Sequence, residues 1–140
     1  MRRIISVLAF MLFVSSAAFA QNVGEKLPDD KGAFFTFDNG HKANVRIDDH
    51  RLQIVFIDDK DLVEQTPYKR AIVRIDRNKS NDDTNLLMRE DASVPYLTHP
   101  RFIDPPLSFR IHVIFYPDEE SDDGKISFPT ALFKWDNPAQ

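Results

Sequence analysis

A strict alternation of apolar and polar side chains runs through much of this sequence. It is clearest in Ser108–Tyr116, where every second residue is a large apolar one. A period of two is that of a β-strand with one buried face. The pattern recurs at Lys42–Asp48, Arg51–Asp58 and Arg70–Arg77, whereas no segment has the sustained three-to-four-residue apolar period of a helix. The sequence therefore predicts an all-β protein.

Two of these segments are expected to form a β-hairpin. If Asp49 and His50 make a two-residue turn, Asp48 faces Arg51 and each inner apolar residue faces another. A slip of one residue would turn one strand's apolar side chains away from those of the other, so the pattern supports the register as well as the strands. The predicted apolar pairs are Ile47 with Leu52, Val45 with Ile54, and Ala43 with Phe56.

Three shorter segments are less regular. Ala33–Phe37 and Val94–Leu97 have the composition of short strands, and the second is followed by a proline-rich crossing that begins at His99-Pro100. Leu86–Asp91 fits either a strand or a single helical turn.

The last predicted strand covers Ile126–Trp135. We expect it to pair with Ser108–Tyr116 through an acidic loop over residues 117–125. Pro129 lies within it and has no N–H to donate to a neighbouring strand. This strand should therefore lie at an edge or contain a bulge.

Short strands separated by turns roughly every 8–12 residues are typical of an antiparallel two-sheet β-sandwich. We expect one such domain over residues 32–136, with immunoglobulin-like topology, and a tail over residues 137–140. A small β-barrel is the alternative, because alternation alone does not distinguish two packed sheets from one closed sheet. Residues 21–31 are mainly polar and are expected to be a flexible lead-in.

The first 20 residues have the features of a cleaved secretory signal peptide. Arg2 and Arg3 precede an apolar run over residues 4–14, and a small-residue cleavage site ends at Ala20. The apolar run is shorter than the roughly 20 residues of a spanning helix, so we expect no membrane insertion after cleavage. The sequence thus predicts a periplasmic or secreted protein.

The composition narrows the classes of function. The 140-residue chain has 18 basic and 22 acidic residues, and because residues 1–20 hold two basic and no acidic ones, the remainder has a net charge of −6. An acidic protein is poorly suited to bind nucleic acid through a basic surface. Cysteine is absent, which excludes thiol catalysis and thiolate metal ligands.

Histidines and carboxylates suggest metal binding as an alternative function. The hairpin register places His41 beside Asp58, and the acidic loop offers the oxygen ligands Asp118, Asp122 and Asp123. These residues could serve a copper, zinc or calcium carrier or sensor. Because surface histidines and solvated loop acids explain the same pattern without an ion, the expected cofactor is none, with a metal ion as the alternative.

The size and expected fold are similar to those of small periplasmic copper-carrier sandwiches. In that family, a histidine at the mature N-terminus and a methionine-rich loop bind copper. Here the mature chain would begin at Gln21, and Met88 is its only methionine. The similarity therefore does not extend to the copper ligands.

Paired carboxylates also allow a small hydrolase as a third hypothesis. Asp58-Asp59 and Asp122-Asp123 are such pairs, but a glycosidase needs two carboxylates at a defined separation across a cleft. The sequence contains no G-x-S-x-G motif, and its four glycines form no phosphate-binding loop.

Binding to a protein partner is the leading hypothesis. Alternation places several aromatic side chains on outer faces, and exposed aromatics beside an unpaired strand can promote strand addition. We therefore expect a non-enzymatic binding or accessory module that meets a protein partner in the periplasm, or a second copy of itself, through an edge strand. The aromatic residues expected on outer faces are Phe34, Tyr96, Tyr116, Phe133 and Trp135, and all of these except Tyr96 are assigned to the interface.

Overall fold

The computed structural model describes residues 22–77 and 84–135. Within these ranges it contains ten β-strands and no helix, which confirms the all-β class. The predicted signal peptide and the tail over residues 137–140 lie outside the described residues. The strands are β1 (Ala33–Thr36), β2 (Lys42–Asp48), β3 (Arg51–Ile57), β4 (Val63–Glu64), β5 (Arg70–Asp76), β6 (Thr84–Glu90), β7 (Leu97–Phe102), β8 (Ser108–Tyr116), β9 (Ile126–Ser127) and β10 (Ala131–Lys134).

All ten strands belong to one antiparallel sheet. Its order is β1-β2-β3-β7-β6-β5-β8-β10, with β4 paired to β3 and β9 paired to β8. The sheet curls into a half-barrel, and its edge strands β1 and β10 approach within 8 Å between Cα atoms without pairing. The structure does not show the two-sheet sandwich, because β3 pairs with β7 and joins the N-terminal and C-terminal strands into one sheet. The small β-barrel alternative fits this arrangement.

The predicted hairpin register is confirmed at every residue. Asp48 pairs with Arg51 in β2 and β3, and the three apolar pairs form as expected. Asp49 and His50 form the turn with positive φ angles of 52° and 63°. Two successive positive φ angles give the turn a twist that matches the strands it joins.

The inner face of the sheet encloses one hydrophobic core. Its centre is aromatic: the ring of Phe115 lies 5.7 Å from Phe56 and 5.3 Å from Tyr68. The alternation predicted for β5 and β8 is confirmed, because their inward residues are buried. The other large side chains that are almost completely buried are Leu52, Ile54, Ile75, Leu86, Met88, Leu97, Ile111 and Phe133.

The outer face of β2 and β3 is also covered. Val55 and Ile57 point outward from β3 but are buried in a second cluster with Val63 and Tyr96, against which Leu27 packs. The cover includes the segment predicted to be a flexible lead-in. Over residues 22–31 this segment is docked, with a bridge between Lys26 and Leu62 and main-chain hydrogen bonds to Val63.

Polar residues of β2 attach this lead-in to the sheet. The Asn44 side chain donates hydrogen bonds to the carbonyl oxygens of Lys31 (2.9 Å) and Ala33 (3.3 Å). Arg46, which is 4% exposed, donates to Asn44 and pairs with Asp29 at 2.9 Å. The polar face of β2 is therefore buried with its polar groups hydrogen-bonded, as stability requires.

Two of the less regular segments have different boundaries from those predicted. Of Leu86–Asp91, the residues up to Glu90 belong to strand β6, which excludes the helical turn, and Asp91 follows the strand. The predicted strand Val94–Leu97 overlaps β7 only at Leu97, and β7 continues through Pro100. The pairing of β7 with β3 is irregular between Arg51 and Gln53, and this irregularity lets a proline lie within the strand.

The predicted last strand is divided by a bulge. β9 pairs Ser127 with Ile114 of β8, whereas β10 pairs Ala131 with Ile111, so one extra residue lies in the intervening segment. Both the edge position and the bulge anticipated from Pro129 are present. Because one extra residue exchanges the two faces of a strand, the orientation expected for β10 is wrong. Phe133 is 0% exposed, and Leu132 is 62% exposed.

This reversal of faces gives a direct test of the fold. We expect Phe133→Ala to lower the free energy of unfolding by about 3–5 kcal/mol, because it leaves a cavity in the core. Leu132→Ala, the matched change on the neighbouring residue, should alter it by less than about 0.5 kcal/mol. Urea unfolding of both variants measures the difference. A larger loss for Leu132→Ala would show that β10 has the opposite orientation.

Candidate functional site

The free edge of β1 presents unpaired main-chain groups. The Phe37 N–H donates to the His41 carbonyl at 2.8 Å, which identifies Phe37 as one of the hydrogen-bonded residues facing β2. Hydrogen-bonded and non-hydrogen-bonded residues alternate along an antiparallel strand. Phe34 and Thr36 therefore direct their main-chain N–H and C=O groups away from β2. Within the described residues, no pairing joins these groups to β10.

The side chains of the same two residues line a groove on the outer face of the sheet. The groove has a volume of about 530 Å³, and its floor includes Phe34, Thr36 and Ile57. Leu27 and its neighbours in the lead-in also line it, together with charged residues of both signs. The two strand positions that leave main-chain groups free thus also contribute side chains to an adjoining groove.

A glycine allows the lead-in to pass this close to the sheet. Gly32 has a φ angle of +91°, and a Cβ atom at this position would collide with the carbonyl oxygen of Val45. Only glycine combines this backbone conformation with so close an approach. The path of the lead-in, and with it one side of the groove, depends on this residue.

Side chains rather than main-chain hydrogen bonds hold the seam between β1 and β10. The ring centroid of Phe128 lies 5.1 Å from that of Phe35 and 5.3 Å from that of Phe37. At the other end, Trp135 stacks on Phe133 and receives the guanidinium of Arg46 over its ring at 5.2 Å. In the described chain, no strand pairing joins these two edges.

The aromatic residues assigned to a partner interface have different environments. Phe34 is 38% exposed, in agreement with its expected outward position, while the adjacent Phe35 is buried. The expected exposure is wrong for Phe133, as shown above, and also for Tyr96 and Tyr116, which are 8% and 6% exposed. Trp135 is half-buried at the seam. Phe34 is therefore the aromatic residue that combines exposure with a free strand edge.

Tyr116 is buried because an arginine covers it. The Arg70 guanidinium lies 3.8 Å from the centroid of the Tyr116 ring. The same guanidinium donates hydrogen bonds to the carbonyl oxygens of Asp118, Glu119 and Ser121 and to the Asp122 carboxylate. It therefore holds the acidic loop in place mainly through the main chain.

The residues predicted to bind a metal are divided between two places. Asp118, Asp122 and Asp123 belong to the acidic loop around Arg70. The Asp58 carboxylate accepts hydrogen bonds from the main-chain N–H groups of residues 60 and 62. In residues 22–77 and 84–135, no group of three or more histidine and acidic side chains is arranged to hold an ion.

His41 has a carboxylate partner that the sequence did not reveal. Its Nδ1 lies 2.7 Å from Oε2 of Glu64, a residue of the two-residue strand β4. This hydrogen bond is the main reason why the pKa of His41 is raised above its ordinary value, and the charges of Asp59 and Asp58 act in the same direction. The contact joins the end of the first hairpin to β4.

The His41–Glu64 contact predicts a pH dependence. Because the pKa of His41 is raised by folding, its stabilising effect is complete below the unfolded pKa of about 6.5 and is lost as pH rises through the folded pKa. Glu64→Gln should lower the pKa of His41 and reduce this loss of stability. The measurements are an NMR titration of His41 and melting temperatures at several pH values. An unchanged His41 pKa in the variant would contradict the assignment.

Comparisons with known proteins give no assignment. No protein-family model matches the chain, and no curated protein or solved structure is found to be significantly similar to it. Among the described residues, no helix is long and apolar enough to cross a membrane. The interpretation of the site therefore depends on its own geometry.

Proposed function

We propose that the protein is a non-enzymatic module that binds an extended segment of a protein partner at the edge of β1. The observation that carries this proposal is the coincidence of free main-chain groups and groove-lining side chains at Phe34 and Thr36. An added strand obtains affinity from main-chain hydrogen bonds and specificity from pockets for alternate side chains. The signal peptide predicted from residues 1–20 supports binding in the periplasm or outside the cell.

The seam limits where the segment can lie. Neighbouring strands are spaced by about 4.8 Å, so a strand added between β1 and β10 needs these edges to be about 9.6 Å apart. At their closest, their Cα atoms are within 8 Å. The edges must therefore separate by about 2 Å or more at that point. This movement breaks side-chain contacts but no main-chain pairing between the two strands.

The residues that line the groove indicate which peptide sequences it would prefer. Alternate side chains of the added segment would lie on the outer face beside Phe34, which favours apolar groups. The same groove is lined by charged residues of both signs: the basic Lys26 and Lys42, and the acidic Asp29, Asp30 and Asp61. A preferred segment would therefore alternate apolar residues with polar ones, and its charges would set its direction.

The test is selection from a displayed library of extended peptides, followed by binding measurements on the peptides recovered. Phe34→Ser should weaken binding at least tenfold, because it removes the main apolar surface of the groove. Leu87→Ser is the matched control, since Leu87 is 37% exposed against 38% for Phe34 and lies on β6, away from the groove. Thermal unfolding would establish that both variants are folded.

Main-chain recognition has its own test. N-methylation of every second peptide residue should abolish binding in one of the two alternating patterns and be tolerated in the other, because only one set of N–H groups faces β1. Equal binding of both methylated peptides would exclude strand addition. Equal losses from Phe34→Ser and Leu87→Ser would exclude the groove.

A further inference from the structure

A second cleft lies on the outer side of β3 and β7. It has a volume of about 480 Å³ and is lined by Asp48, Gln53, Asp91 and Tyr96, among others. Along β3 it lies at the end marked by Gln53, whereas the groove beside β1 lies at the end marked by Ile57. The two cavities are thus separate surfaces of the same strand.

Gln53 has a buried acceptor without a donor. Its side chain lines the cleft, its residue exposure is 6%, and its Oε1 atom has no hydrogen-bond partner in the described chain. The amide nitrogen, in contrast, donates to the Asp48 carboxylate at 3.2 Å. This contact fixes the orientation of the amide, because the reverse orientation would place its oxygen against the carboxylate. A buried polar atom left unpaired is costly and indicates a missing donor.

The other groups around Gln53 add further acceptors. Asp48 and Asp91 contribute two carboxylates to the lining. Burial, followed by the charges of Asp48 and Asp91, raises the pKa of Tyr96. A hydrogen bond from the Gln53 amide nitrogen to the phenol oxygen acts on this pKa in the opposite direction, so Tyr96 does not supply the donor that the Gln53 oxygen lacks. Both carboxylates are therefore close enough to act on the Tyr96 hydroxyl. Asp91 Oδ1 already accepts hydrogen bonds from the N–H and the hydroxyl of Ser93, and Asp48 accepts one from Gln53. What the cleft leaves unmatched is the Gln53 oxygen and the negative charge of the two carboxylates.

The cationic groups of the cleft are engaged elsewhere or neutral. Arg51 donates to the Pro100 carbonyl at 3.2 Å, lies 3.7 Å from Asp49 and stacks over the ring of Phe102. Burial, and then the charge of Arg101, lowers the pKa of His99, so this ring is neutral at pH 7. Neither side chain supplies the donor that the Gln53 oxygen lacks.

We propose that this cleft binds an organic cation with several N–H donors, a primary ammonium or a guanidinium group. Such a group can donate to the carboxylates of Asp48 and Asp91, and its charge complements theirs. Donation to the Gln53 oxygen as well requires a shift of the side chains that cover this buried atom. The cation can come from a free amine or from a lysine or arginine side chain of a partner. The proposal is independent of strand addition at β1, because the two cavities lie at opposite ends of β3.

The test uses n-butylammonium and methylguanidinium as free cations, with n-butanol as the neutral analogue. Proton–nitrogen NMR spectra report on the side-chain amide of Gln53, which should shift on titration with either cation and not with butanol. A blocked peptide with one central lysine, compared with its norleucine analogue, is the second arm. Tighter binding of the lysine peptide than of n-butylammonium would assign the cation to a partner, and the reverse order to a free amine.

Variants separate the proposed contacts from general charge effects. Gln53→Met removes the acceptor while keeping the side-chain length, and Asp48→Asn and Asp91→Asn each remove one charge. Each should weaken cation binding by roughly ten- to a hundredfold, the range expected for hydrogen bonds to charged groups. Asp123→Asn, at an exposed acid of the acidic loop, is the matched control and should have little effect.

Three outcomes would overturn the proposal. They are an unshifted Gln53 amide at saturating cation, equal shifts with butanol and butylammonium, or an equal loss from Asp123→Asn. Melting temperatures without ligand identify any variant that fails to fold, and the remaining variants then decide the question. Because Phe34→Ser should leave cation binding unchanged, failure here and failure of strand addition are distinguishable.

Discussion

The pairing of β3 with β7 is the contact on which the rest of the structure depends. It connects strands distant in sequence and joins the first hairpin to the C-terminal strands. Without it, the chain could form two sheets stacked face to face. With it, the sheet has one inner face, one core and two edges that meet at a seam. The cleft on the outer side of β3 and β7 follows from this pairing, and the edge of β1 is free because β1 pairs with β2 alone.

Local features of the fold were predictable from the sequence. The register of β2 and β3 depends on a two-residue turn and on the matching apolar alternation of the two strands. Both features belong to one short stretch of sequence. The single sheet was not predictable, because alternation fixes which side of a strand is buried but not which distant strand it meets. The orientation of β10 failed for a related reason: one bulged residue near Pro129 exchanges the two faces, and the pattern around it does not locate the extra residue.

The candidate sites were predictable only in part. Phe34 could be identified because two adjacent phenylalanines cannot both enter the core from one strand. Thr36 lies two residues after Phe34, so the alternation of β1 places it on the same outer face, and this could also be read from the sequence. The covered outer face of β3 also left a trace, since Val55 and Ile57 are apolar at outward positions. The roles of Glu64 and Gln53 could not be predicted from the sequence pattern, because they arise from contacts with residues outside their own strands.

Arg70 illustrates how this fold separates the shape of a loop from its composition. Three of the four hydrogen bonds recorded for its guanidinium with the acidic loop are to carbonyl oxygens, which every residue type possesses. The conformation of that loop is thus set by a side chain outside it. Its carboxylates can be exchanged over evolutionary time while its backbone path persists, so the loop can drift in sequence without disturbing the half-barrel that carries it.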